Sequence, residues 1–368
     1  MNSPRTFRAP GRVNLIGEHT DYNLGFVLPI ALDLATYIKT EPSKDGQIHV
    51  CSEQREGERS WPAAESAALR PTRHWSDYVA GVARELAVLG VKIEPVSLQI
   101  RSDVPEGSGL SSSAALEVSA AIAMLQGQNF DRLEIAKLCQ RAESDFVGMP
   151  CGIMDQFVAV FGHDHAAIRI DCRSLEYQTV VLPRNVEILA VNSMVKHELG
   201  ASAYRTRVQE CAIAVDCISR QFPEVKSLRD ATRAHLEKVK MPRVVMRRAR
   251  HIVSENVRVW LFVEAAERND LERMGELFFE SHRSMQHDYE ITCDEVDFLV
   301  DTAAGIPGCH GARMTGGGFG GCTVNLVNPD AVENFCAAIG ARYRERFRID
   351  PAIFRCVPAA GASEITAP

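Results

Sequence analysis

Glycine and serine residues of the kind that bind phosphate occur together in the segment Pro105-Glu106-Gly107-Ser108-Gly109-Leu110-Ser111-Ser112-Ser113-Ala114-Ala115. Apolar residues alternate with polar ones over 96–100, as in a strand, and recur at helical spacing over 115–125. We therefore expect this loop to open a helix, whose free N–H groups and dipole attract an anion. Alternatively, the serines only cap that helix. No lysine follows the last glycine, so the segment is not a standard P-loop.

A second polar cluster is Glu18-His19-Thr20-Asp21-Tyr22-Asn23, which follows a short strand predicted over 13–16. Its carboxylates, imidazole, phenol and amide offer many directed donors and acceptors, as the hydroxyls of a sugar require. This density is typical of a site for a neutral polyol. A polar turn with local hydrogen bonds would explain the aspartate and asparagine but not the glutamate and histidine.

The third segment is Arg313-Met314-Thr315-Gly316-Gly317-Gly318-Phe319-Gly320-Gly321-Cys322, which contains a formal G-x-G-x-x-G. A dinucleotide fingerprint must open a helix, whereas strand-like residues 322–327 follow here. So dense a glycine run indicates a main chain that presses against a ligand or against another loop.

Composition and charge narrow the class of protein. The chain has 368 residues, 46% of them hydrophobic and 24% charged, which is enough for two domains with a cleft between them. A net charge of −7 argues against binding to nucleic acid or to an anionic membrane. We find no membrane-span-length apolar run and no secretory signal, so we expect a cytoplasmic protein. The 11 cysteines are scattered without a C-x-x-C and are expected to be reduced, buried packing residues.

Strand-like and helical patterns alternate along the chain and predict an α+β fold. In the first half, strands are predicted at 13–16, 35–40, 48–51, 96–100 and 166–170, and helices at 76–89, 111–125 and 133–146. In the second half, strands are predicted at 186–192 and 322–327, and helices at 246–267, 271–284 and 294–304. We expect an N-terminal domain over 1–178 and a C-terminal domain over 179–368.

The three segments, in this order, resemble the galactokinase branch of the GHMP sugar and small-molecule kinases. Met149–Gln156, Trp75–Tyr78 and Lys196–Tyr204 agree as well, and the resemblance covers residues from about 7 to about 356. It implies a two-domain GHMP-kinase-like fold with the active site in the interdomain cleft. It also implies transfer of the ATP γ-phosphoryl group to the C1 hydroxyl of galactose, by a monomer whose partners are these two small molecules.

The resemblance also assigns the catalytic groups. Asp155 corresponds to the carboxylate that accepts the sugar proton, and Arg12 to the nearby cation that keeps it ionised. Both assignments suit phosphoryl transfer, which depends mostly on positioning and electrostatics. Ser113 and Glu143 correspond to the ligands of Mg²⁺, a hard cation that prefers oxygen. Without the resemblance, Glu143 would be taken as a solvated residue of its helix.

Substrate contacts follow from the same resemblance. Trp75 is expected to stack on or wall the adenine, although an isolated tryptophan more often packs in a core. The residues expected to bind the phosphates of ATP are Gly107, Ser108, Gly109, Leu110, Ser111, Ser112 and Ser113. The residues expected to bind the sugar are Glu18, His19, Asp21, Gly152, Asp155 and Tyr204. Tyr204 also lies on the apolar face of its helix, where packing is an equal expectation.

Two departures and three alternatives accompany this assignment. Asn23-Leu24-Gly25 replaces an expected Asn-Gly-Gly, and Asp294 replaces an expected proline at a helix start, where it interacts with the dipole. A kinase for N-acetylgalactosamine or arabinose would carry nearly the same motifs. A non-catalytic galactose and ATP sensor would lack a dipeptide of the phosphate loop, which is intact here at Ser113-Ala114-Ala115. A dinucleotide oxidoreductase is the remaining alternative.

Overall fold

The computed structural model describes residues 4–196 and 200–365. Residues 197–199, which belong to the segment Lys196–Tyr204 singled out above, lie outside the described residues. The strands are β1 (Arg5–Asn14), β2 (Phe26–Val27), β3 (Pro29–Pro42), β4 (Gln47–Ser52), β5 (Arg59–Pro62), β6 (Val96–Ser102), β7 (Ala166–Asp171), β8 (Tyr177–Val181), β9 (Glu187–Lys196), β10 (Cys309–Thr315), β11 (Gly320–Val327), β12 (Ala352–Arg355) and β13 (Ser363–Ile365).

Helices lie between these strands in both halves of the chain. They are α1 (Asp77–Val88), α2 (Ser112–Leu125), α3 (Arg132–Arg141), α4 (Met154–Phe161), α5 (Gly200–Ser219), α6 (Arg233–Lys238), α7 (Arg243–Glu267), α8 (Leu271–Ser284), α9 (Asp294–Ala304) and α10 (Val332–Phe347). This mixture confirms the predicted α+β class. Within residues 4–196 and 200–365, no helix combines the length and the apolar character needed to cross a membrane.

The N-terminal unit is built on a six-stranded sheet with the order β13-β1-β3-β6-β4-β5. Its strands pair antiparallel except β4 and β6, which run parallel. Alternate residues of β6 are buried, as the sequence pattern predicts for a strand with one face against a core. Helices α2 and α4 pack on β1, and α1 and α3 pack on α2. Small residues such as Ala114, Ala120 and Ala121 let α2 approach the sheet closely.

The C-terminal unit is built on a four-stranded antiparallel sheet with the order β10-β11-β9-β12. Helices α8 and α9 pack on β10, and the 25-residue helix α7 packs against α5 and α8. Gly275 and Gly311 permit the contact between α8 and β10, since a Cβ on Gly275 would lie 1.9 Å from the carbonyl oxygen of His310. A stack of Phe262 on Phe278 joins α7 to α8.

The last strand of the chain belongs to the N-terminal unit. The N-terminal half of the chain also forms a three-stranded sheet, β2-β7-β8, and the expected boundary between residues 178 and 179 falls inside β8. Strand β13, from the C-terminal end, pairs with β1 of the N-terminal sheet. The N-terminal unit therefore contains two separate stretches of chain, and the domain division remains a prediction to be refined.

Two elements near the predicted catalytic residues differ from the sequence prediction. The helix expected over 133–146 ends as α3 at Arg141 and continues as a π-helical turn, Ala142–Val147, which carries Glu143. Such turns re-aim side chains and are frequent at functional sites. Helix α4, which carries Asp155 in its first turn, was not predicted, because at eight residues it is too short to show a periodic pattern.

Candidate active site

Arg12 and Asp155 form a two-bond ion pair at the meeting point of β1 and α4. Arg12 Nε donates to Asp155 Oδ1 and Arg12 Nη2 donates to Oδ2, each at 2.8 Å. The Arg12 side chain is buried, whereas 23% of the Asp155 side chain remains exposed. Arg12 Nη1 also donates to the Gly109 carbonyl at 2.6 Å, which ties the pair to the glycine–serine loop. The planar fork of the guanidinium fixes the orientation of the carboxylate.

The glycine–serine loop has the backbone conformation of an anion cradle. Gly107, Gly109 and Ser111 have φ angles of 67°, 79° and 60°, and α2 begins at the next residue. Ser108 is fully buried and donates its hydroxyl proton to the Pro105 carbonyl, which closes the loop on itself. The first N–H groups of a helix have no partner within it, so those of α2 are free to bind phosphate oxygens.

Ser111 does not cap α2, although it is the residue that precedes it. Its hydroxyl donates instead to Asp155 Oδ2. The interpretation that these serines only cap a helix is therefore wrong for Ser111. Leu110 is buried and uses both backbone groups inside the protein, since its N–H donates to Ser108 Oγ and its carbonyl accepts from the Arg12 N–H. Leu110 thus holds the loop, and any contact it makes with ATP stays a prediction.

The C-terminal glycine motif packs directly against this loop. A Cβ on Gly316 would lie 3.2 Å from the Gly109 carbonyl oxygen, and a Cβ on Gly321 would lie 3.2 Å from that of Ser108. Strand β11 follows the motif, and no helix does. Both observations confirm the sequence interpretation: the glycines allow two main chains to meet and do not form a dinucleotide fingerprint.

A group of buried acidic and amide side chains lies behind the Arg12–Asp155 pair. Gln156 Nε2 donates to Glu143 Oε2 at 2.6 Å and to Glu117 Oε2 at 2.9 Å. Burial, together with the charge of Asp155, raises the pKa of Glu143 to about 7, while a hydrogen bond from Ser113 opposes the shift. Burial also raises the pKa of Glu117 well above its ordinary value.

Sequence analysis assigned no role to Gln156 or Glu117. The only signal was a glutamate on the apolar face of α2, one turn after Ser113. By contrast, Ser113 and Glu143, the pair expected to hold a metal, are brought together from α2 and the π-helical turn.

Glu18 is tied to the C-terminal unit on both of its oxygens. Oε2 accepts from Arg313 Nη2 and from Asn14 Nδ2, each at 2.8 Å, and Oε1 accepts from the Gly316 N–H at 2.6 Å. Arg313 is fully buried and donates as well to the carbonyls of Asn14 and Leu15. Burial raises the pKa of Glu18, while the charge of Arg313 lowers it. Sequence analysis did not single out Arg313, although it begins the glycine motif.

His19 presents one ring nitrogen to the protein and has the other free. Its backbone is left-handed, with a φ of 62°, a conformation that is uncommon outside glycine and is frequent at functional sites. Nδ1 lies 2.8 Å from the Tyr22 hydroxyl, and the buried Nε2 has no hydrogen-bond partner of normal geometry, although the Gly317 backbone is close enough to raise the pKa of the ring. Burial lowers the pKa of His19 to about 3, so the imidazole is neutral at physiological pH.

Asp21 and Gly152, both predicted to bind the sugar, are in contact. A Cβ on residue 152 would lie 1.7 Å from Asp21 Oδ2, so only glycine leaves room for this carboxylate. Burial, reinforced by the charge of Asp155, raises the pKa of Asp21 to about 7. Leu24, the departure from the expected glycine, adopts a left-handed φ of 57° and does not prevent the turn after Asp21.

These side chains surround a cavity of about 670 Å³. Its lining includes Arg12, Glu18, His19, Asp21, Tyr78, Gly152, Asp155, Tyr204 and the glycines 316–318. The Tyr204 ring lies 5.2 Å from that of His19 and 5.5 Å from that of Tyr22, so it both packs and faces the cavity. The structure thus brings all the predicted sugar-binding residues to one place.

A second cavity, of about 380 Å³, adjoins the first, and Tyr78 lines both. Gly107, Ser112, Ser113 and Trp75 lie in its wall. The Trp75 indole N–H donates to the Glu56 carbonyl at 3.0 Å, which leaves the ring to form part of the wall. Four of the eight predicted ATP-binding residues therefore line a cavity next to the predicted sugar-binding residues, and Asp155 lies in the wall of the first cavity.

A larger cavity, of about 1260 Å³, lies between α6, α7 and α8. Its arginines are mostly engaged: Arg229 binds Asp171, Arg250 binds Asp288 and Arg258 binds Glu255. It contains none of the residues that the sequence motifs single out. The smaller pair of cavities is the candidate active site, because convergent polar groups with shifted pKa values matter more than volume.

Comparisons with known proteins identify the same segments of the chain. Residues 77–163 match the model of the GHMP kinases N terminal domain, residues 262–345 match GHMP kinases C terminal, and residues 1–42 match the galactokinase galactose-binding signature. The structure of the Methanococcus jannaschii mevalonate kinase superimposes with a TM-score of 0.72 over 97% of this chain and 99% of that one, at 18% identity. The fold and the site define a GHMP kinase.

More similar proteins narrow the class. The galactokinase of Roseiflexus sp. (strain RS-1) is 42% identical over 97% of this chain and 92% of its own length. That of Thermosipho africanus is 40% identical over 97% and 99%. The crystal structure of Lactococcus lactis galactokinase complexed with galactose has a TM-score of 0.94 and 33% identity, and covers 99% of this chain and 96% of that one. The chain belongs to the galactokinase family, as its motifs predicted, and is a phosphotransferase.

Proposed function

We propose that this protein transfers the γ-phosphoryl group of ATP to the C1 hydroxyl of D-galactose, giving galactose 1-phosphate and ADP. The observation that carries the proposal is the Arg12–Asp155 ion pair in the wall of a polar cavity that adjoins the cavity of the phosphate loop. A sugar hydroxyl beside Asp155 would face the terminal phosphate of a nucleotide in the second cavity. The family's activity toward galactose agrees with this arrangement.

In the proposed reaction, Asp155 accepts the proton of the C1 hydroxyl while the sugar oxygen forms a bond to the γ-phosphorus. The bond between that phosphorus and the bridging oxygen breaks, and ADP leaves. Arg12 and Ser111 hold the carboxylate in one orientation, and the Arg12 charge offsets the negative charge of the transferring group. Positioning and electrostatics therefore supply most of the acceleration.

Sugar recognition in this proposal uses Asp21, His19 and Tyr204, which line the cavity. Asp21 offers a carboxylate in contact with Gly152, and His19 offers a buried Nε2 without a partner. Tyr204 supplies an aromatic wall beside His19. Glu18 also lines the cavity, but both of its oxygens already accept hydrogen bonds from the protein. It therefore holds the segment Glu18–Asn23 in place, in addition to orienting a sugar hydroxyl.

Mg²⁺ is proposed as the cofactor, held by Ser113 and Glu143. No group of three His, Cys, Asp or Glu side chains that could hold a metal occurs among residues 4–196 and 200–365. Mg²⁺ nevertheless needs only one or two protein oxygens when phosphates and waters complete its shell. The residues fit, because burial and the nearby charge of Asp155 raise the pKa of Glu143 to about 7. A cation bound there would compensate the negative charges of the two carboxylates. Bound there, Mg²⁺ would neutralise charge on the phosphates.

The test is ADP release from Mg-ATP with galactose, N-acetylgalactosamine, arabinose, glucose and mevalonate, with the phosphorylated carbon identified by NMR. Turnover on galactose that yields the 1-phosphate is the expected result. Turnover confined to another sugar would overturn the sugar assignment, and binding of both ligands without turnover would make the protein a sensor. Omitting Mg²⁺ should abolish turnover.

A cytoplasmic monomer is proposed as the working form. The net charge of −7 argues against nucleic acid or anionic membranes as partners. Sedimentation velocity of the purified protein would test the oligomeric state, and a stable dimer at micromolar concentration would contradict it.

A further inference from the structure

A line of buried polar groups connects the sugar cavity to the C-terminal unit. His19 Nδ1 lies 2.8 Å from the Tyr22 hydroxyl, which lies 2.6 Å from the Tyr289 hydroxyl. The Tyr289 hydroxyl in turn lies 3.1 Å from Cys211 Sγ. No group of this line other than His19 lines the cavity. The line therefore reaches the sugar only through the imidazole.

Tyr289 is the fixed point of this line. It is fully buried in the π-helical turn Met285–Tyr289, which follows α8. Its ring packs 4.4 Å from that of His251, and its carbonyl accepts a hydrogen bond from Arg207 Nε at 2.7 Å. His251 is itself bonded to Ser284 and to the Glu18 carbonyl. With so many contacts, the Tyr289 hydroxyl cannot move away from Tyr22 without disturbing the unit.

The imidazole of His19 has only two ways of joining this line. A neutral ring carries one proton, either on Nδ1 or on Nε2, and the nitrogen bound to Tyr22 determines what the other can do. Each tyrosine hydroxyl has one proton, so the direction of donation along the line must be the same at every step. Donation runs either toward His19, where Nδ1 accepts, or toward Cys211, where Nδ1 donates, so the line couples the tautomer of His19, and with it the character of Nε2, to that direction.

We propose that Tyr22 and Tyr289 are positioning residues that fix the ring orientation and the tautomer of His19, so that its free Nε2 hydrogen bonds a hydroxyl of the sugar. This inference rests on the proposed function, because it takes the ligand of the cavity to be a sugar. It adds a residue of the C-terminal unit, Tyr289, to sugar recognition although Tyr289 does not touch the cavity.

The experiment compares Tyr289→Phe and Tyr22→Phe with Tyr343→Phe as a matched control. Tyr343 is equally buried and donates its hydroxyl to the Ser193 carbonyl at 2.8 Å, in a different core cluster. We expect Tyr289→Phe to raise the KM for galactose by about five- to tenfold, the value of one hydrogen bond, with kcat and the KM for ATP unchanged. Tyr343→Phe should leave all three constants unchanged.

A second readout needs no substrate and separates this proposal from the proposed function. Nitrogen-15 NMR of the histidine rings should show a single tautomer for His19, identified by the signal that is lost in His19→Asn. In Tyr289→Phe and in Tyr22→Phe, the same signal should shift toward a mixture of tautomers. Absence of galactose turnover in the wild type would overturn the proposed function, whereas this signal would still report on the line.

Two results would overturn the inference. One is a galactose KM and a His19 signal that are both unchanged in Tyr289→Phe. The other is a rise in KM that Tyr343→Phe reproduces, since that would reflect a general loss of stability. If Tyr289→Phe fails to fold, Tyr22→Phe carries the same test. The double variant should be no worse than the more impaired single variant, because either change interrupts the line.

Discussion

Asp155 has both oxygens engaged by the protein in the absence of substrate, by Arg12 and by Ser111. This residue is therefore oriented in advance, and its replacement should remove chemistry and leave binding intact. Asp155→Asn is expected to lower kcat by about 10²–10⁴-fold, the contribution typical of a positioned acid or base, with nucleotide affinity unchanged.

The measurement for Asp155 pairs an ADP-release assay with a nucleotide titration. Asp230→Asn is the matched control, because Asp230 is also bound to an arginine, Arg173, but lies outside both cavities. Retention of wild-type turnover by Asp155→Asn would disprove the assigned role.

Asp21 gives a second prediction at the residue scale, and its sign follows from burial. Its pKa is raised to about 7, so the carboxylate is ionised above that pH and protonated below it. A protonated carboxyl loses acceptor capacity, so the dissociation constant of galactose should rise as the pH falls, by up to about tenfold per unit below 7. Titration calorimetry with galactose, without ATP or Mg²⁺, measures this dissociation constant at each pH. Under these conditions the titration of Glu143 cannot act through phosphate or metal binding. Asp21→Asn should bind weakly at every pH, and a flat wild-type profile would refute the assignment.

The element that most determines the site is α2, which presents its N-terminus to one cavity and the side chain of Glu117 to the core. Burial raises the pKa of Glu117 well above its ordinary value and so favours the protonated form of this carboxyl. Glu117→Gln reproduces a neutral group that both donates and accepts, and should keep kcat within about twofold. Glu117→Leu leaves the Gln156 amide short of a partner and should lower the free energy of unfolding by about 1–3 kcal/mol.

Urea unfolding and kcat, measured for both variants, distinguish these outcomes. Ser119→Ala in the same helix is a suitable control, since Ser119 is buried but bonds only to the Leu116 carbonyl. A loss of activity in Glu117→Gln as large as in Glu117→Leu would mean that a charged carboxylate is needed there.

Elements with a long periodic pattern were predictable from the sequence. Helix α9 begins and ends where predicted, at Asp294 and Ala304, and Asp294 lies in its first turn, as expected for a dipole interaction. The strand predicted over 13–16 is instead the end of β1, which stops at Asn14. The chain turns there into the segment that carries the polar cluster Glu18–Asn23. The short strands β2, β12 and β13 carry too few residues for any pattern to appear.

At the scale of the whole molecule, Arg313 joins the two units through Glu18, Asn14 and Leu15. It is fully buried, and its removal would leave the carboxylates of Glu18 and Glu255 without their shared cation. Arg313→Met should lower the free energy of unfolding by about 3–5 kcal/mol, as expected when one member of a buried ion pair is lost.

Arg5→Met tests the same chemistry at the surface. The Arg5–Glu364 pair has side chains 29% and 45% exposed, so its loss should cost at most about 1 kcal/mol. Urea denaturation of both variants gives the comparison. Equal losses would mean that burial of the Arg313 network does not matter.

Contacts such as these explain what the sequence could not reveal. The motifs for phosphate and sugar are local, so the loop at Gly107–Ser113 and the cluster at Glu18–Asp21 were predictable as groups. The Arg313–Glu18 bond spans 295 residues, and the Gln156–Glu117 bond spans 39. Neither follows from spacing, because only the folded chain places these residues together.

The contact between the glycine motif and the phosphate loop also constrains how the molecule can open. Main chain meets main chain at Gly316 and Gly321, and Glu18 accepts a hydrogen bond from the Gly316 N–H. Separation of the two units along this glycine contact would remove the support of the phosphate loop. An opening motion therefore has to be a rotation of the units with this contact as the hinge axis. Parts remote from the axis would then travel furthest. Substrate entry and product release are thus expected at the rim of the cleft, with the catalytic centre almost stationary.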